Sequence, residues 1–385
     1  MHVGRWRRYV SVPTFGREEG DRMRFGWMIM ALMAVGCSEY DLKGGGGSDD
    51  ASDGDEDPTG DGGDGEVGAP GTFDGGIRGR VCDPGGGWVV GAYVYTTYDS
   101  TGDGEHDARA EDETDVNGAY ELSGIPVDRD YTVHAIKGSF EASFDVSVGS
   151  GMTEIPADEC MLEPPDIAVV TGDYDHIEDI IGGMGFEYTE IDGQYTTGEY
   201  LTFLRNPAAM AEFDIIFFNC GAGMDWLATD ADLVRGNIRE FVANGGSIYA
   251  SDWAYYYIEA PFPSFMDFYG TDEAYGSAQV GVSGSVSGRV LDPAMEVIIG
   301  SAAADINFDL DMWVAMEAVS ADTEVLISAD VPVWTTWSFE TLYNVPIAAR
   351  FDYGEGRVLY TAFHNEHAAT TLDMTDILEE IILSL

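Results

Sequence analysis

At Pro164-Pro165 the hydrophobic residues change period, and that change sets what the chain can fold into. Before it, short β-rich runs alternate faces, with Tyr131, Val133 and Ala135 set against Thr132, His134 and Ile136. That is the period of half-buried strands. After it, Asp166-Ile-Ala-Val-Val-Thr171 and Phe213-Asp-Ile-Ile-Phe-Phe-Asn219 are continuous apolar runs, as in parallel strands covered on both faces. Two modules follow from this: an all-β sandwich over residues 77–163 and an α/β domain over residues 166–385.

The part of the chain before residue 77 constrains location. Phe25 to Gly36 is an apolar run preceded by Arg22 and Arg24. A spanning helix needs about 20 apolar residues, so this run suits a signal-peptide core instead. Met23-Arg24 make the expected start, and residues 1–36 are read as the signal peptide. Ala34, Val35 and Gly36 before Cys37 resemble the lipobox of bacterial lipoproteins. The resemblance implies lipidation at Cys37 and, with Ser38 following, an outer-membrane anchor facing the periplasm or the cell surface. Residues 37–76 then form the lipidated cysteine and an acidic linker. From Gly44 to Gly76 there is little but Gly, Asp, Glu, Ser, Pro and Thr, too polar to offset the entropy of ordering. With 18 Lys+Arg against 70 Asp+Glu, the net charge is −52. Such a surface repels phosphate backbones and excludes nucleic acid as a partner.

Export carries a reading of the cysteines. Four are present, and oxidising conditions make Cys82–Cys160 the simplest disulfide, closing the sandwich and leaving Cys220 as a free thiol. Within the sandwich, Tyr98 to Asp115 reads as an acidic loop. Its Asp99, Asp103, Glu105 and Asp107 offer the oxygen ligands that Ca²⁺ prefers, although not at EF-hand spacing. The order GRV-x-D, GA-x-V, TD-x-NG-x-Y, L-x-GIP and YTV resembles the carboxypeptidase regulatory-like (prealbumin-like) domain. That resemblance implies a binding or spacer module with a carbohydrate or protein ligand.

In the second module, His176 to Met184 and Asp230 to Asn244 read as helices between the strands. Phe186 to Ile191 and Ser247 to Ala250 read as further strands. Residues Gly276 to Ile327 form a β-rich insertion, the sheet returns at Arg357 to Phe363, and Met374 to Leu383 closes the domain as a helix. Three segments, FDIIFFNCGAG, GGSIYASDWA and GRVLYTAFHNE, resemble in order the oxyanion loop, nucleophile elbow and His-Glu strand end of the class I glutamine amidotransferase-like, flavodoxin-like superfamily. The elbow cysteine is absent, so glutamine hydrolysis of the family type is not expected. Ser251 or Asp252 stands in its place; Asp252 has small flanks, Ala250 and Ala254, where Ser251 has Tyr249 and Trp253.

Ligands of open α/β sheets bind beyond the carboxyl ends of the strands. Two chemistries fit the residues there. Ser251, Asp252, His364 and Glu366 suit a hydrolase with His364 as general base. Asp173, Asp252, His364 and Glu366 suit a divalent metal. A third reading keeps the scaffold without the chemistry, and this one leads: a membrane-anchored lipoprotein with a binding or scaffold role, the exported hydrolase being the alternative. The aromatic set Trp253, Tyr255, Tyr256, Tyr257 and Phe262 lines a sugar cleft in one reading and packs against neighbouring loops in the other.

Overall fold

The computed structural model describes residues 72–271, 276–335, 338–366 and 369–385. The expected signal peptide, the lipidation site Cys37 and the linker up to residue 71 lie outside the described residues.

The first module folds as two facing sheets. Its strands are β1 (Gly75–Arg80), β2 (Tyr93–Tyr98), β3 (Ala108–Glu113), β4 (Ala119–Ile125), β5 (Arg129–Lys137), β6 (Phe140–Val148) and β7 (Gly151–Glu154). One sheet has the order β4-β1-β7 and the other β3-β2-β5-β6. Alternation places Tyr131, Val133 and Ala135 in the core, with Thr132 outside, as the period-two pattern requires. The Cys82–Cys160 disulfide is formed, closing a separation of 78 residues. Two strands were not expected. β3 lies inside the presumed acidic loop, because Ala108 and Ala110 turn inward while Arg109 and Glu111 face out. β7 is short, and extends the other sheet by pairing in parallel with β1.

The second module is built on one sheet. Its strands are β8 (Ile167–Val170), β9 (Thr189–Ile191), β10 (Ile215–Phe218), β11 (Ser247–Ser251), β12 (Met266–Phe268), β13 (Gly284–Val290), β14 (Ala303–Phe308), β15 (Met316–Val319), β16 (Thr323–Trp334), β17 (Phe339–Tyr353) and β18 (Gly356–Thr361). Its helices include α1 (Ile177–Gly183), α2 (Ala231–Ala243) and α3 (Leu372–Leu383), with other short helices between them, among them Pro293–Ile299. The sheet order is β14-β13-β16-β17-β18-β11-β10-β8-β9. Strands β8 to β11 and β18 are mutually parallel. Numbered along the chain those five run 2-1-3-4-5, one of the common orders of doubly wound sheets. β8 and β10 are buried at every residue, as continuous apolar runs predict.

The β-rich segment expected as an insertion is not a separate lobe. β13, β14 and β16 continue the main sheet through β17, which pairs antiparallel with β18 from Ala348 to Tyr353. An exposed edge at β18 would have left unpaired backbone groups, and β17 covers it. Only β12 and β15 stand apart, as a two-stranded ribbon.

The sandwich docks on the α/β domain. Ser139 donates its N–H to Leu385 O, Gly85 N–H reaches Met184 O at 2.7 Å, and the Phe140 and Phe186 rings lie 4.8 Å apart. Gly138 sits at φ +57°, and a Cβ there would meet Leu385 O at 2.3 Å, so glycine is required for the approach. Beside it Lys137 Nζ meets Glu380 Oε1 at 2.5 Å, with both side chains at 10 % exposure or less. Removing one partner of such a pair strands a buried charge. Lys137→Met is therefore expected to lower unfolding stability by about 3–5 kcal/mol, with most of the loss recovered in the Lys137→Met/Glu380→Met double variant. Chemical denaturation of the three proteins checks this; equal stability of all three would contradict it.

Candidate functional site

Where β8, β10, β11 and β18 end, the chain leaves the sheet through turns that point polar groups at one another. β8 runs into Gly172-Asp173-Tyr174-Asp175, and β10 into Asn219-Cys220. The two loops touch: a Cβ on Gly172 would lie 2.1 Å from Cys220 O. β11 ends at Ser251, and Asp252 opens a 3₁₀ turn with φ +43°. Few residues other than Gly adopt that conformation; Asp is among those that tolerate it. Ala250 and Ala254, both buried, flank it. Beyond β18 come Phe363, His364, Asn365 and Glu366.

Of the sequence candidates, Asp252, His364 and Glu366 meet. His364 Nδ1 is 3.6 Å from Asp252 Oδ2, and its Nε2 is 3.4 Å from Glu366 Oε1. Ser251 is buried beside them, but its hydroxyl donates to Asp175 Oδ2 and accepts from Cys220 N–H at 2.9 Å. Asp173 does not join them. It is exposed and accepts a hydrogen bond from the Gln194 side chain. The aspartate that occupies the crevice is Asp175, two residues on, fully buried and also bonded to Asn365 N–H at 3.1 Å. Its loop position gave no sign of which aspartate turns inward. Cys220, read as a lone thiol, lies at the centre of the group and donates to Asp252 Oδ2 at 3.4 Å. Asn219 stands behind, holding Glu178 Oε2 at 2.8 Å.

The electrostatics follow from burial. Desolvation pushes the Asp252 carboxyl up to about 6, despite the opposing pull of His364 and the Val314 N–H. Burial raises Asp175 too, partly offset by His364 and Ser251. Burial and then the charge of Asp252 drive the Cys220 thiol well above its ordinary value, so it is no nucleophile in this state. Desolvation works against charge on His364, but Glu366, Asp175 and Asp252 together outweigh it and hold the imidazole at about 9. His364 is thus the cation that lets three carboxylates share the space.

The crevice is closed from above. Val314 N–H donates to Asp252 Oδ1 at 2.6 Å, Trp253 Nε1–H donates to Met312 O at 2.8 Å, and Tyr174 packs edge-on to Trp253. Cys220, Ser251, Asp252, His364 and Asp175 are each at 7 % exposure or less. The aromatic set is structural rather than a sugar cleft: Tyr257 stacks on Phe218 at 4.0 Å and Phe262 packs on Phe351, while Tyr255 and Tyr256 are buried.

The calcium candidates in the sandwich do not gather. Asp99 accepts the N–H groups of Thr101, Gly102 and Gly104, and Asp107 accepts Ser100 N–H and its hydroxyl. Asp103 accepts Glu105 N–H at 2.9 Å. These carboxylates shape the loop, and among the described residues they do not form a group of three metal donors; Cys220, Asp252 and His364 do.

No family model matches the chain. No curated protein matches it either. Among solved structures, a cytoplasmic protein from Salmonella typhimurium overlaps at TM-score 0.35 and 12% identity, over 66% of this chain and 94% of that one. PurLQS from Thermotoga maritima overlaps at TM-score 0.36 and 13% identity, over 57% and 98%. A beta-galactosidase from Bacillus circulans sp. alkalophilus overlaps at 0.31 and 10%, over 57% of this chain and 30% of that one. Superpositions this loose carry nothing over to this chain.

The cluster has a pH signature. His364 binds its proton more tightly folded than unfolded, where its value is 6.5, so its contribution is full below that pH and is lost as pH rises through about 9. Asp252, raised from 3.8, loses its contribution earlier, as pH rises through about 6. In chelator-containing buffer, the stability advantage of the wild-type chain over His364→Gln should therefore shrink between about pH 6.5 and 9. Thermal unfolding of both proteins across that range measures it; a constant difference would contradict the charged-imidazole assignment.

Proposed function

We propose that this is an exported, membrane-anchored lipoprotein with a binding or scaffold role, and that its flavodoxin-like, amidotransferase-like domain is non-catalytic. The observation that carries the second half is the occupation of Asp252. Its carboxylate, at the turn where a family nucleophile would stand, is spent on Val314 N–H, Cys220 and His364 under a closed roof. A nucleophile or base needs reach to a substrate atom, and among the described residues these groups face one another and the Val314 N–H. The 2-1-3-4-5 order of the parallel strands supports the flavodoxin-like assignment.

The anchor rests on the sequence at Cys37, and the acidic tether after it would hold the folded modules away from the membrane. A binding face is offered by the sandwich. On the outer side of its four-stranded sheet Tyr93, Tyr95 and His134 stack in a row, with the Arg109 guanidinium 4.8 Å from the Tyr95 ring. Flat rings flanked by polar groups suit the faces of sugar rings or a protein loop.

The test uses the full chain expressed in a Gram-negative host. Detergent-phase partitioning of the wild-type chain, and its loss in Cys37→Ser, is the expected result; unchanged partitioning in the variant would overturn the anchor. Assayed against ester, amide and glycoside substrates, the same protein should show no turnover that His364→Ala removes. Turnover lost in that variant would replace the scaffold role with the hydrolase.

A further inference from the structure

Cys220, Asp252 and His364 each offer one ligand atom, and all three atoms lie within 4.8 Å of one another in a buried pocket. We propose that they bind a thiophilic divalent cation of the zinc type. Ligand atoms about 2.0–2.3 Å from a tetrahedral zinc stand about 3.3–3.6 Å from each other. The Cys220 Sγ to Asp252 Oδ2 distance is 3.4 Å, and Asp252 Oδ2 to His364 Nδ1 is 3.6 Å. Those two distances match edges of such a tetrahedron, and the third separation lies within 4.8 Å.

A second observation points the same way. Both ring nitrogens of His364 are buried, and among the described residues neither makes a well-formed hydrogen bond, the carboxylates of Asp252 and Glu366 standing off at 3.6 and 3.4 Å, which in a folded protein calls for an explanation. With Nδ1 on a cation, Nε2–H points at Glu366 Oε1, 3.4 Å away. Metal-bound histidines very commonly give their other N–H to a carboxylate in this way. Thiolate and imidazole select a borderline-soft ion over Ca²⁺ or Mg²⁺, which take oxygen. Binding the cation releases the Cys220 thiol proton and the proton on His364 Nδ1, so charge in the pocket is exchanged rather than accumulated. With the roof of Val314 and Trp253 in place, the ion enters as the domain folds, and its role is structural. The inference goes beyond the scaffold reading: a loaded site without turnover satisfies both, and turnover would overturn the scaffold role alone.

Cobalt(II) is the probe, because thiolate ligation gives a sulfur-to-metal charge-transfer band that surface carboxylates cannot give. The full chain carrying Cys37→Ser, with Cys82–Cys160 oxidised, has Cys220 as its sole thiol. Refolded with Co²⁺, it should hold one ion per chain with that band, and Zn²⁺ but not Ca²⁺ should displace the cobalt. Glu366→Gln should keep the band and weaken binding by about 10–100-fold. Cobalt bound without the band, or no cobalt bound by chain that regains its unfolding transition, would overturn the site. So would a band whose affinity is unchanged in His364→Gln. The decisive spectrum is that of the parent chain, so the proposal does not depend on whether any variant folds.

Discussion

In the metal-free chain the imidazolium of His364 makes the strand-end region possible. Asp175, Asp252 and Glu366 converge on it, and burial alone would drive the Asp175 and Asp252 carboxyls to take a proton. One cation shared among them keeps the group charged and compact. Everything arranged around it then has a reason: Asp252 is held at φ +43° so that its two oxygens face His364 and the Val314 N–H, and Ser251 turns away to Asp175. The polar groups of the cluster bond to one another and to the loop above.

That loop belongs to the segment between β12 and β15, and its position follows from the sheet. β17 covers the edge that β18 would expose, and β13, β14 and β16 extend the same surface. The chain between them must cross back over the strand ends, where Met312 and Val314 bond to Trp253 and Asp252. At the other end of the sheet, α3 carries Glu380 to Lys137 of the sandwich, so the two modules share a buried ion pair rather than only a linker.

Much of this architecture was legible in the residues. The apolar runs at Ile167–Val170 and Ile215–Phe218 became buried parallel strands, and the pairing of Cys82 with Cys160 is present. Asp252, His364 and Glu366 were expected together from their places at strand ends, and they meet. Three features were not legible. Asp173 and Asp175 differ only in which way a glycine-led loop turns, and that depends on Gln194 and Asn365, distant in sequence. Cys220 reads as a free thiol outside the disulfide, yet β10 and β11 are neighbours and their ends adjoin, which brings it to Asp252. The β-rich segment reads as an insertion because its own strands join the sheet only through β16 on β17, and β13 meets β16 across some forty residues, a pairing that no local pattern reports.

The crevice is closed from within by the Val314–Asp252 hydrogen bond. Hydrogen–deuterium exchange of the peptide spanning Met312 to Met316 in the native chain measures it most directly. The Val314 amide should be protected to the level of the core strands, and Asp252→Ala should lose that protection. Rapid exchange of Val314 in the wild-type chain would instead show an open crevice.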